Sequence, residues 1–200
     1  MDQLPTPLHA LADDRMLVAR CLTAIDEERP AVERADLARA TALLAARYEN
    51  VLADTLYPQI AAALGPGSEL ERAEGCLQQA REAIGTVRAD LRGVAPIDAH
   101  VSDPEGLDRD IDAMVHSLRE LFRLEDAGLF PLIERLSPSE VDGLRHSIES
   151  ACAHQTTLPD PPDNGLVRKL AEVTETVRLA LNDQSTPWHP GVDALLDRSE

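Results

Sequence analysis

Apolar residues recur at spacings of three and four along almost the whole chain, and no segment alternates between apolar and polar residues as a strand would. The clearest stripe consists of Leu70, Ala73, Leu77, Ala80, Ile84, Val87 and Leu91. A second stripe consists of Ile111, Val115, Leu118, Phe122, Leu129, Leu132 and Leu136. This spacing is typical of one buried helix face, and the pattern predicts an all-α fold.

Start and stop signals divide the pattern into helices. Thr6-Pro7, Pro30 and Asp103-Pro104 are start signals, "GPGS" at 65–68 is a break, and Ser68–Glu71 and Ser137–Glu140 have the form of capping boxes. The predicted helices cover 6–28, 30–64, 68–91, 104–136, 138–154 and 166–182. Long helical pairs with short connections predict an up-down-up-down four-helix bundle over residues 1–136. Residues 137–200 are predicted to add one or two C-terminal helices and a tail that contains Trp188.

An aromatic-proline phrase occurs late in the second and fourth predicted helices. It reads Leu56-Tyr57-Pro58 in one and Leu129-Phe130-Pro131 in the other. Proline removes a backbone hydrogen bond, so each helix is expected to kink or loosen about one turn before it. The matching positions favour a pseudo-twofold bundle whose halves share an ancestor.

Composition excludes several function classes. A formal net charge of -17 disfavours nucleic acid and anionic membranes as partners. No apolar run approaches the ~18–20 residues that span a bilayer, and the acidic N-terminus has no apolar signal core, so a cytoplasmic protein is expected. The three separated cysteines are expected to be thiols. Without a phosphate-binding glycine loop, GxSxG or HExxH, the sequence predicts no catalytic residue.

The Leu-aromatic-Pro phrases, the acid upstream of them and "ADDRML" in the first helix resemble the hemerythrin-like, or His-His-Glu cation-binding, domains. The resemblance covers residues 6–136. It implies a four-helix bundle around a non-haem di-iron centre, in which each half supplies a His from its first helix and His-x-x-x-Glu from its second. Residues four apart share a helix face, so both can reach one metal ion.

Counting back from the prolines places the family's ligand positions in this chain, and none is a histidine. The positions hold Asp14, Glu49 and Ala53 in the first half, and Glu74 (or Gly75), Phe122 and Asp126 in the second. A register shift of one residue would substitute Asp54 and Glu125. Carboxylates without imidazole favour hard cations over an oxygen-carrying di-iron site.

Two interpretations of these positions follow. In the first, the metal site has become core: Phe122 fills the space, Gly75 leaves room for its ring, and the acids pair with arginines such as Arg15, Arg47, Arg119 or Arg123. In the second, Asp14, Glu49, Glu74 and Asp126 hold one or two ions of iron, manganese or another divalent cation. The first interpretation is favoured because Ala53 and Phe122 replace ligands in both halves.

The favoured function is a non-catalytic interaction or regulatory module without a cofactor, and a homodimer is possible. Its partner would be another protein or a small molecule. The alternative is a metal-binding protein with oxygen or peroxide chemistry. Four histidines are predicted to lie on helix surfaces, and Cys152 is predicted to point inward; the histidines are His9, His116, His146 and His154.

Overall fold

A computed structural model describes residues 5–27, 31–91 and 103–154, the side chains at 32, 33 and 154 excepted. Every regular element in these ranges is helical, which confirms the all-α prediction. The elements are a 3-10 helix (Thr6–Leu11), α1 (Ala12–Asp26), α2 (Ala31–Val51), a π turn called π1 (Leu52–Leu56), α3 (Tyr57–Leu64), α4 (Ser68–Asp90), α5 (Pro104–Leu124), a second π turn called π2 (Glu125–Leu129), α6 (Phe130–Ile133) and α7 (Pro138–His154). The predicted helix at 166–182 and the tail with Trp188 lie outside the described residues.

The helices pack in sequence around a shared apolar core. α1 packs on α2, α2 on α4 and α4 on α5, while α7 packs against the 3-10 helix and π1. Every residue of the predicted α4 stripe is buried, and in the stripe of α5 and α6 only Phe122 and Leu132 are partly exposed. Within the described ranges, no helix is both long enough and apolar enough to cross a bilayer.

One predicted capping box is confirmed and the other is wrong. At the start of α7, the Ser137 N–H donates to Glu140 Oε2 at 2.7 Å and the Glu140 N–H donates to Ser137 Oγ at 3.4 Å. At the start of α4 the N-cap is Gly67, whose lack of a side chain precludes a side-chain cap, and Ser68 Oγ donates instead to Glu69 Oε2 at 3.1 Å. Ser68 therefore lies one residue inside the helix.

Ser137→Ala is expected to destabilise the chain by about 1 kcal/mol, since it removes an acceptor for an otherwise unpaired N–H of the first turn. Ser68→Ala is the matched control, because its hydroxyl bonds only to an exposed carboxylate, and its effect should be within about 0.5 kcal/mol. Urea unfolding measures both. Equal effects would contradict the assignment of Ser137 as the functional cap.

A π turn precedes each proline of the repeated phrase. The Tyr57 N–H donates to Leu52 O, and the Phe130 N–H donates to Glu125 O, both across five residues rather than four. The predicted loosening before Pro58 and Pro131 is therefore confirmed, and it takes the form of one inserted residue in each helix. The same irregularity thus occurs before both prolines of the phrase.

Candidate functional site

One of the buried cations in the described part of the chain is the guanidinium of Arg15 on α1; Arg39 and Arg47 are buried to a similar degree. The Arg15 side chain is only 14% exposed, and its carbon CZ lies 4.7 Å from the ring centroid of Phe122 and 5.3 Å from that of Phe130. NH2 donates to Phe122 O at 3.1 Å and to Asp126 Oδ1 at 2.9 Å. The pKa of Arg15 is raised: burial acts to lower it, but the neighbouring acidic groups outweigh burial. Arg15 therefore remains charged.

Arg15 has a counterpart on α5. Arg119 NH2 donates to Leu22 O at 3.2 Å and to the carboxylate of Asp26, as Arg15 does to Phe122 O and Asp126. Each arginine thus bridges the carbonyl of one residue and the carboxylate four residues later, which is one helical turn. The reciprocal pairing joins α1 and α5 in antiparallel orientation through polar groups.

Glu125 begins π2 and is fully buried. Its Oε2 accepts a hydrogen bond from Tyr48 Oη at 2.7 Å and lies 3.5 Å from Arg15 Nε, while its Oε1 has no hydrogen-bond partner among the described residues. Burial raises the pKa of Glu125 to about 8, although Tyr48 and Arg15 both act to lower it. Near neutral pH its carboxyl group is therefore largely protonated.

Glu49 on α2 is a second buried carboxyl group. It is 1% exposed, and its Oε1 has no hydrogen-bond partner in the described part of the chain. Burial raises its pKa to about 8; the charge of Arg81 acts against this and that of Glu125 adds to it. The phenol of Tyr57 is also buried without a partner in those ranges, and burial followed by the charge of Glu125 raises its pKa.

The four predicted carboxylates are not brought together. Asp14 is buried, but its Oδ2 lies 3.2 Å from Arg47 Nε, and the Asp126 side chain is 51% exposed and bonded to Arg15. Glu74 is exposed on α4, and only Glu49 is buried without such a partner. Over residues 5–27, 31–91 and 103–154, no group of three or more His, Cys, Asp or Glu side chains could hold a metal ion.

Phe122 and Gly75 do not fill the expected site as predicted. Gly75 is exposed, and an added Cβ there would meet no atom within 4 Å, so it does not make room for an inward ring. Phe122 is partly buried and packs edge-on against Tyr48, with ring centroids 5.6 Å apart. Its ring covers Arg15 rather than replacing a metal ligand at the centre.

The arginine pairing is as predicted for two residues and different for two others. Arg15 and Arg47 pair with the candidate acids Asp126 and Asp14. Arg119 pairs instead with Asp26, and Arg123 pairs with Glu120 on its own helix.

The remaining candidate residues lie away from the core network. His9, His116 and His146 are exposed, as predicted, and the side chain of His154 lies outside the described set. Cys152 is buried, with its Sγ 3.9 Å from Ala10 O, which confirms its inward orientation. Cys21, Cys76 and Cys152 are free thiols.

The acid that the structure buries in π2 is Glu125, whereas counting back from Pro131 selects its exposed neighbour Asp126. That count takes no account of the residue that π2 inserts. The available signal was the one-residue shift, which pointed to Glu125. A proline in mid-helix makes such a shift reasonable, since π insertions accommodate interrupted hydrogen bonding.

Comparison with protein-family models, curated proteins and solved structures gave no match.

Proposed function

We propose that this chain is a hemerythrin-like four-helix bundle protein that has exchanged its metal for an arginine and acts as a non-catalytic interaction or regulatory module. The bundle is supported by the neighbour packing of α1, α2, α4 and α5 together with the polar α1–α5 contacts, which close the ring. The π turns before Pro58 and Pro131 support two related halves.

The observation that carries the proposal is the position of Arg15. Its guanidinium lies between the Phe122 and Phe130 rings and beside the fully buried Glu125. The fixed positive charge acts to lower the pKa of the buried Glu125 carboxyl group, as a metal ion at the same place would. Divalent ions would be repelled by the same charge.

The burial of the network supports a non-catalytic role. Glu49, Glu125 and Tyr57 are 1%, 0% and 2% exposed, so a substrate has no direct contact with these three groups, whose pKa values are raised. General acid–base catalysis requires hydrogen-bond reach to the substrate. Raised pKa values also arise in structural networks, and burial is the main cause here.

A metalloprotein with iron, manganese or another divalent cation is the alternative. The unpartnered oxygens of Glu49 and Glu125 favour it, since buried carboxylate oxygens are ligands for hard cations. The charge of Arg15 and the separation of Asp14, Glu74 and Asp126 count against it.

Elemental analysis of the full chain purified without chelator is expected to find no stoichiometric transition metal. An Asp14→Ala, Asp126→Ala double variant should give the same result, and Glu49→Gln provides the comparison at the buried position. About one or two iron or manganese ions per chain, lost in Glu49→Gln, would overturn the proposal in favour of the alternative.

A further inference from the structure

The side of α2 that points away from the core is buried. No residue from 34 to 53 is exposed, whereas α4 and α5 expose residues in every turn. Leu43 is only 9% exposed, although it lies two residues before the core residue Ala45. Two residues correspond to about 200° around a helix, so Leu43 points away from the core. We call this surface the outer face of α2; it consists of Asp36, Arg39, Leu43, Ala46 and Asn50.

The described neighbours of α2 do not account for this burial. α1 and α4 pack along α2, and α7 packs mainly against π1 and the 3-10 helix. Arg34 forms ion pairs with Asp108 and Asp112, so its side of α2 faces α5. Leu43 lies nine residues, or about two and a half turns, after Arg34 and points in the opposite direction. The exposure of Leu43 is that of a single chain, so its cover belongs to this chain.

The longest stretch beyond the described ranges is 155–200, and it contains an amphipathic segment of suitable length. Helical spacing places the charged residues of 166–182 on one side and an apolar stripe on the other. As a helix, this segment would extend about 25 Å, against about 31 Å for α2. The stripe consists of Leu166, Val167, Leu170, Val173, Val177, Ala180 and Leu181.

The described chain ends close to α2. Cys152 Sγ lies 3.9 Å from Ala10 O, which places the end of α7 beside the start of α1. Asp14 Oδ2 lies 3.2 Å from Arg47 Nε, so the start of α1 lies beside the C-terminal half of α2. Residues 155–165 can span up to about 36 Å when extended. The segment 166–182 can therefore reach the whole outer face.

We propose that residues 166–182 dock as an amphipathic helix on the outer face of α2, with their apolar stripe toward Leu43. The charged side of the segment then faces solvent, and α2 becomes a central helix that is covered on every side. A protein partner that binds the same face must first displace the segment. The docking concerns the outside of the bundle and does not depend on the proposed function of its core.

The test uses Lys169, the only lysine of the chain. A carbodiimide joins a lysine to a carboxylate that it contacts, and Lys169 lies at the edge of the apolar stripe. Mass spectrometry of the crosslinked full chain is expected to join Lys169 to carboxylates that border the outer face and to none on α5. The bordering carboxylates are Asp13, Glu27 and Asp36. Lys169→Arg should remove all of these crosslinks.

A matched pair of variants tests the apolar stripe. Val177→Glu places a charge on the stripe and should lower the crosslink yield roughly tenfold, because an ionised group is costly to bury. Leu179→Glu makes a comparable change on the opposite side and should leave the yield unchanged. Circular dichroism like that of the parent shows that both variants remain folded.

Three results would overturn the docking. In a mixture of ¹⁴N- and ¹⁵N-labelled protein, crosslinks between chains of different label would make a second copy the occupant of the face. Crosslinks from Lys169 to α5, or to nothing beyond its own neighbours Glu172 and Glu175, would place the segment elsewhere. Equal yields in Val177→Glu and Leu179→Glu would show that the apolar stripe makes no contact with α2.

Discussion

Raising the pH from about 5 to about 8.5 is expected to destabilise the folded chain by several kcal/mol, because Glu49 and Glu125 must ionise inside the core. Both pKa values are about 8 in the folded chain, against an ordinary value of 4.5. Each pKa unit corresponds to ~1.4 kcal/mol, so two such groups dominate the pH dependence in this range.

The sign of this stability change follows from the number of protons that the folded and the unfolded chain bind. Between pH 4.5 and 8 the folded chain keeps protons on Glu49 and Glu125 that the unfolded chain releases. The contribution of these groups to stability is therefore complete below the unfolded pKa and is lost as the pH rises through the folded pKa. Urea unfolding at several pH values measures the slope.

Glu49→Gln and Glu125→Gln should each remove part of this slope, because glutamine carries no ionisable proton. At pH 5 both variants should be close in stability to the parent, and at pH 8.5 they should be more stable. Glu74→Gln removes an exposed carboxylate and should leave the slope unchanged. If the stability of the parent did not change with pH, or if the parent and the glutamine variants showed the same pH dependence of stability, neither group would be protonated in the core.

The helices were largely predictable because their signals are local. The apolar stripe of α4 and the Asp103-Pro104 start of α5, where Asp103 Oδ1 accepts from the Gly106 N–H at 2.9 Å, depend on neighbours in sequence. The predicted capping box at Ser68–Glu71 was wrong because Gly67, one residue earlier, has the extended backbone of an N-cap. Two adjacent residues that both suit an N-cap cannot be separated by composition alone.

The site was less predictable because its contacts join distant parts of the chain. Asp14 and Glu49, two of the predicted ligand positions, are buried. The exposure of Glu74 and Asp126 depends on the rotation of their helices, and at Asp126 the residue inserted by π2 changes that rotation. The bond between Tyr48 and Glu125 joins residues 77 positions apart, and no local pattern encodes it.

Arg15→Met is expected to destabilise the chain by about 3 kcal/mol at pH 8, where Glu125 is about half ionised and would lose its cation inside the core. Methionine keeps most of the apolar volume between the Phe122 and Phe130 rings, so the loss reports the charge and its hydrogen bonds rather than a cavity. Phe122 O loses a donor, and Glu125 loses its nearest cation. Urea unfolding at pH 8 measures the change.

Arg119→Met is the matched control, because Arg119 makes the reciprocal contacts to Leu22 O and Asp26 from a side chain that is 47% exposed. Solvent screens such a pair, and its loss should cost less than about 1 kcal/mol. If Arg15 acts mainly through the charge of Glu125, adding Glu125→Gln to Arg15→Met should recover part of the loss at pH 8. If Arg15→Met and Arg119→Met instead lower the free energy of unfolding equally, with no regain of stability from Glu125→Gln, Arg15 acts as an ordinary surface ion pair. The proposal that an arginine replaces the metal would then lose its support.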